Sequence, residues 1–300
     1  MSEGRKSELP KPTNPVGDIP VIDLMLGIPS EDAKRSYDFM RPLFRDKQSL
    51  DSFEFPVEYM FKDVPKFSSL GDRIKYTLEE MDKYNVERAL IGVSLSDEVA
   101  QNALRQHPDR FIASCGTEPN DGMEDIRNIV RLHEEFDIKA VGAFPAGCVP
   151  QVPIDDKRFY PVYAKCCELD IPIFVCVGVP GPRIPMACQH VELIDEVMWF
   201  FPDLKFVMRH GAEPWTDLAV KLMLKWPNLY YSTSAFAPRY YPKAIVDYAN
   251  TRGADKILYA GYFPMGLSLE RIFTDMPHVP FRDHVWPKFL RENAIRVLGL

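Results

Sequence analysis

The stretch His210-Gly211-Ala212-Glu213-Pro214-Trp215 sets an imidazole and a carboxylate three residues apart, just after the apolar run Phe206-Val207-Met208. An imidazole titrates near pH 6.5 when unperturbed, so His210 is a candidate acid or base. Other apolar runs end in side chains that can also do chemistry: Asp23 and Met25, Cys176, and Tyr262. Tyr262, with an unperturbed pKa near 10, is a proton donor at neutral pH and not a ready base. Cys176 is a nucleophile only if His210 holds it as thiolate; otherwise it packs as a small hydrophobe. His210, Glu213 and Asp23 together offer one nitrogen and two carboxylates, a set that suits iron or manganese. Tyr262 as phenolate would favour ferric iron. Two plainer readings stay open: Glu213 as a charge at a helix N-terminus, and His210 as a satisfied neutral imidazole. Arg183, and Arg239 beside Tyr240, fall in loops where a paired guanidinium can clamp a carboxylate or phosphate, though solvated surface arginine is the commoner case. With Met25 and Cys176 they are the candidate substrate-binding residues. The apolar company of Met25, Tyr240, Phe263 and Met265 favours a largely hydrophobic acid or acyl substrate.

These residues must be held by the elements that precede them. Short apolar runs alternate with amphipathic stretches along the chain, the signal for βα units and a parallel sheet. Strands are predicted near 19–25, 88–93, 110–115, 138–144, 171–177, 204–210, 228–233 and 256–261. One helix is expected from Leu70-Gly71-Asp72 through Met81, another from Asp121 through Leu132, a third with Pro214 in its first position. The segment Trp286–Leu300 reads as a closing helix. Eight units closing into a (β/α)8 TIM barrel, residues 18–300, is the economical fold, and such barrels carry their sites at the C-terminal strand ends. Residues 30–69 form an insertion after strand one, rich in aromatics such as Tyr37, Phe53 and Phe61, either a lid or packing on the barrel's side. Alternation along strand six groups His210 with Met208 and Phe206 in the lumen and sends Arg209 and Val207 toward the helices. The same logic pairs Tyr262 with Ala260, Asp23 with Met25, and Cys176 with Phe174. The predicted interior set is Asp23, Met25, Cys176, His210 and Tyr262.

The strand ends Val21–Gly27, Val175–Gly178, Met208–Gly211 and Tyr259–Pro264 resemble the metal-binding strands of the amidohydrolase superfamily, in the branch that includes aminocarboxymuconate semialdehyde decarboxylase. Phe201-Pro202-Asp203-Leu204, Trp226-Pro227-Asn228-Leu229 and Glu292-Asn293-Ala294 add to the resemblance by order and spacing. It implies a metal-dependent-hydrolase barrel that acts on organic acids by hydrolysis or decarboxylation. It also implies D-x-H-x-H on strand one, a His ending strand five, H-x-G on strand six and S-D-x-P on strand eight. Here Met25 and Gly27 stand where two His belong, with Cys176 on strand five and Tyr262 on strand eight; His210 alone is retained. No Lys stands at the mouth end of strand four, since Lys139 lies near its start. Two cofactor readings follow: one divalent or iron ion on a rebuilt site, or no metal. The function readings are an enzyme on a small to medium organic acid, a catalytically inactive binding barrel, and a non-haem iron oxygenase. Homo-oligomers are usual among the proteins resembled.

Net charge is −7, from 36 basic and 43 acidic residues without blocks of one sign, which argues against nucleic acid as a partner. The sequence has no long apolar run of membrane-spanning length. Residues 1–17 are polar and read as a disordered leader. Six cysteines without a C-x-x-C pair suit reduced thiols in the cytoplasm.

Overall fold

The computed structural model describes residues 19–30, 35–51, 55–67 and 70–300. The leader 1–17, and Phe53 in the insertion, lie outside the described residues. Eight parallel strands run in sequence order: β1 Val21–Asp23, β2 Val86–Gly92, β3 Phe111–Gly116, β4 Val141–Ala143, β5 Ile173–Cys176, β6 Phe206–Arg209, β7 Leu229–Ser232 and β8 Ile257–Leu258. The sheet curls until β8 meets β1. Leu24 N donates to Tyr259 O at 3.4 Å, and Gly27 N donates to Phe263 O at 2.8 Å. This is a TIM-barrel fold, as the alternation of runs predicted.

Each strand sends side chains to two buried layers, as parallel strands covered on both faces must. One layer fills the barrel with one or two side chains from each strand unit, including Ile22, Leu90, Ile112, Phe174, Val207 and Leu258. The chain's last helix, Asn293–Leu298, closes the bottom of this layer with Ala294, Val297 and Leu298. Burying each of the two larger side chains stabilises the fold by roughly 1.5–3 kcal/mol. The other layer lies between strands and helices and holds Phe206 and Met208. That corrects the expectation for β6: Phe206 and Met208 face the helices, while Val207 and Arg209 face the interior. His210 still reaches the mouth because it leaves the strand in a left-handed conformation, φ 66°, which breaks the alternation.

The helix after the insertion spans Arg73–Lys83 and is capped by Asp72, whose carboxylate accepts from Lys75 N at 3.0 Å. The helix after β3 spans Met123–Phe136. The helix after β6 begins at Thr216, so Pro214 stands ahead of it and not in its first position as expected. The reason is local: Ala212 also has positive φ, 55°, and the chain needs these residues to turn away from the strand. Among the described residues no helix is long and apolar enough to cross a membrane.

Candidate active site

A cavity of about 790 Å3 opens at the C-terminal ends of the strands. Met25, Cys176, Arg209, His210 and Tyr262 reach it from the barrel, and Glu213 and Tyr240 from the loops. The described part of the insertion adds Tyr37, Met40, Val57 and Phe61 to the lining. Phe61 stacks on Tyr262 with ring centroids 5.4 Å apart, so the insertion covers the mouth. Its attachment to the barrel is polar at one edge, where Tyr59 OH donates to Gly181 O at 2.5 Å.

His210 is held by β7's extension. Its backbone N donates to Ser234 Oγ at 3.2 Å, and its Nδ1 lies 3.1 Å from the same oxygen. Having accepted from the backbone, the Ser234 hydroxyl has its own proton for Nδ1. Where it gives that proton to Nδ1 the imidazole hydrogen stands on Nε2; the second lone pair of Ser234 Oγ can instead accept from Nδ1–H. Burial, with the Arg209 charge beside it, pushes the imidazole down to about 3, so it is neutral at working pH. Burial also pushes the Tyr262 phenol far above its ordinary range, which keeps it protonated. The Tyr262 ring meets His210 edge-on at 5.7 Å. Both groups can therefore donate a hydrogen bond. Burial likewise pushes the Cys176 thiol up to about 11, with Arg209 opposing the rise, so it is no thiolate nucleophile at neutral pH.

Asp23 is not in this cavity. The interior set expected it beside Met25, but the chain bends after the strand and sends the two apart. Asp23 faces the helix layer at 0% exposure. Its Oδ1 accepts from Met25 N at 2.9 Å and Gly261 N at 2.8 Å, which ties β1 to β8. Burial raises its carboxyl to about 6 against those lowering bonds. Arg183 and Arg239 do not line the cavity either. Arg183 pairs with Asp46 at 3.2 Å and lies over the Tyr59 ring, in a separate hollow of about 210 Å3. Arg239 Nε donates to the buried carboxylate of Asp275 at 2.8 Å. Its neighbour Tyr240, 61% exposed, does reach the cavity, as do Ala235, Phe236 and Ala237 of the same loop.

The residue that sequence reasoning sent the wrong way is Arg209. It pairs in register with Cys176, and neighbours in register share a face, so both point inward. Its guanidinium lies over Phe174, 5.5 Å from the ring centroid. Gly142 on β4 makes room for it: a Cβ there would meet the guanidinium nitrogens at 3.3 and 3.6 Å. One signal was available, a charge ending an apolar run in a strand covered on both faces. Ser234 carried no such signal, since its role depends on where β7 lies beside β6.

A metal does not fit these residues. The expected ligand positions hold a thioether, a glycine, a protonated thiol and a protonated phenol. Gly27 has no room for more, as a Cβ would stand 3.2 Å from Pro264. The rebuilt set of His210, Glu213 and Asp23 is divided by the barrel wall. Among the described residues no group of three or more His, Cys, Asp or Glu comes together. What remains on the barrel wall is the Arg209 guanidinium beside two neutral donors in a largely apolar cavity, with Lys62, Arg271 and Glu213 on the loops around it, an arrangement suited to negative charge on a substrate oxygen.

The amidohydrolase family model matches residues 71–300. No curated protein matches the chain. Solved structures do. An uncharacterised TIM-barrel protein from Bordetella bronchiseptica shares 24% identity and a TM-score of 0.69, over 93% of this chain and 98% of that one. The 5-carboxyvanillate decarboxylase of Novosphingobium aromaticivorans, solved with manganese and a nitrobenzoic acid, shares 16% identity and a TM-score of 0.65, over 96% and 99%. A 2,6-dihydroxybenzoate decarboxylase with bound 2,6-dihydroxybenzoate shares 15% identity and a TM-score of 0.63, over 94% of this chain and 99% of that one. These likenesses show the fold; the match over residues 71–300 goes further, and the chain belongs to the amidohydrolase family.

Proposed function

We propose that this protein is an enzyme acting on a small to medium organic acid or acyl compound, by hydrolysis or C–C cleavage, without a bound metal. The observation that carries the reading is the open cavity at the strand ends, lined by His210 and Tyr262, a neutral imidazole and a protonated phenol that can each donate a hydrogen bond. Both reaction classes build negative charge on a substrate oxygen, as a tetrahedral oxyanion in hydrolysis or as an enolate in C–C cleavage. Preorganised donors stabilise that charge. Glu213, also on the cavity, is the carboxylate available to accept a proton. The named decarboxylases among the similar structures support an aromatic acid as the first substrate class to try. The six unpaired cysteines suit a reducing, cytoplasmic setting.

The test is turnover of hydroxybenzoic acids and of activated acyl esters by the wild type, His210→Ala and Tyr262→Phe. Each variant is expected to lose roughly 100- to 1,000-fold in kcat, as loss of one oxyanion donor does. Chelators are expected to leave the wild-type rate unchanged. Full activity in His210→Ala would sink the proposal. A non-catalytic binding barrel is the second reading, favoured by Met25, Gly27 and Cys176 at the family's ligand positions. It requires stoichiometric binding of an acid with no turnover.

A further inference from the structure

Every other cation around the mouth that the sequence suggested is already answered by protein. Arg183 has Asp46, and Arg239 has Asp275. Arg271, which also lines the cavity, lies 3.6 Å from Asp275. Lys62 also lines the cavity without an ion pair among the described residues, but it stands on the insertion; Arg209 is different, because it is set in the barrel wall. Among the described residues it forms no ion pair with a carboxylate, and its Nε is buried without a hydrogen-bond partner. Arg88 Nε is likewise buried and unpartnered, but Arg88 does not line the cavity. A guanidinium cannot shed its charge at physiological pH, and on this half-buried group the Phe174 ring and the neighbouring Cys176 offset part of the desolvation. The cavity it opens on is lined mainly by apolar side chains, among them Met25, Phe144, Phe236, Met265 and Leu267.

We infer that Arg209 is a carboxylate-binding residue, and that the cavity takes an organic acid with one buried carboxylate and an apolar, ring-sized body. Geometry and charge both lead there. The fork of the guanidinium matches a carboxylate in a bidentate pair, and such pairs strengthen where water is excluded. The ring below and the hole left by Gly142 hold the guanidinium from the side away from the ligand. The cavity volume is within the range of sites for small organic ligands. One consequence concerns the reaction. A carboxylate held by a guanidinium is stabilised as an anion, which opposes its loss as CO2. The carboxylate at Arg209 is therefore the one that stays, and bond cleavage takes place elsewhere on the substrate, toward His210 and Tyr262.

This inference rests on the organic-acid reading above and is tested by binding, which needs no turnover. Benzoate and phenylacetate are titrated into wild-type protein by calorimetry, beside benzamide and phenylacetamide of the same shape. The acids are expected to bind and the amides to bind roughly 10- to 100-fold more weakly, the worth of a charge-assisted pair. Arg209→Gln is expected to lose the same factor for the acids only, and Arg209→Lys to recover part of it. Equal binding of acid and amide by the wild type would overturn the inference, and so would failure of both acids to bind. The wild-type comparison stands even if Arg209→Gln does not fold. His210→Ala and Tyr262→Phe are expected to keep acid binding within a few fold. If they keep both binding and turnover, the catalytic reading fails while the assignment of Arg209 survives.

Discussion

Asp23, fully buried, and Arg209, half-buried with its Nε shut away from solvent, are both charged residues at the C-terminal end of the barrel wall, and they stand on opposite faces of it. Asp23 looks outward to the helices, where its Oδ1 accepts from two backbone amides and fixes β1 against β8, while its Oδ2 is buried without a hydrogen-bond partner. Arg209 looks inward to the cavity, with an aromatic ring beneath it and no carboxylate partner among the described residues. A buried charge answered by backbone belongs to the architecture. A half-buried cation without a carboxylate partner, opening on a cavity, is a place for a ligand, because part of its desolvation is not recovered within the fold. Residue type alone would have ranked the two the other way, with the aspartate catalytic and the arginine packed among helices.

The contrast can be broken at several points. The largest effect is expected at Arg239→Ala, which strips the near partner from a carboxylate that is 3% exposed. It is expected to lower unfolding stability by about 3 kcal/mol in urea titration and to leave acid binding unchanged. A loss of binding with unchanged stability would return Arg239 to the site.

Asp23→Asn comes next and is read against pH. The folded carboxyl titrates near 6 against an ordinary 3.8, so between those values the folded state holds the proton more tightly than the unfolded one. Stability from this group is intact below about 4 and falls as pH rises to 6. Asn keeps an acceptor for the two amides and carries no such cost. The variant is expected to be more stable than wild type by up to ~3 kcal/mol at pH 7 and equal to it at pH 4. A wild type that gains stability between pH 4 and 6 through this residue would refute the assignment.

Arg209→Met tests the other half of the contrast. Removing an unanswered charge is expected to cost nothing in stability and to raise it by up to ~1 kcal/mol, while acid binding is lost. A variant that melts far below wild type would show that Arg209 is structural. The smallest effect belongs to Arg183→Ala. Its pair with Asp46 is more than a third exposed, so 0–1 kcal/mol is expected, with acid binding within twofold.

Much of the fold was legible before any coordinate. All eight strands fall within two or three residues of their predicted places, because apolar runs bounded by turns report burial directly. Asp72 was legible as a helix start for the same local reason. The candidate site was legible in part. Met25, Cys176, His210, Glu213, Tyr240 and Tyr262 do line one cavity. Arg183 and Arg239 were chosen by loop position, and their partners Asp46 and Asp275 come from distant chain, where no local pattern points.

The sequence by itself determined that eight strands would carry their last residues to one mouth, since that follows from the period of its apolar residues and the short connections between them. Only the tertiary structure decided which side chains enter the mouth. Period-two alternation fixes a face only while the backbone stays extended, and here it fails at the ends that matter most. His210 turns into the left-handed region, and the chain bends after Asp23. A departure of one residue exchanges the two faces of a strand. That exchange puts Arg209 in the cavity and Asp23 in the wall.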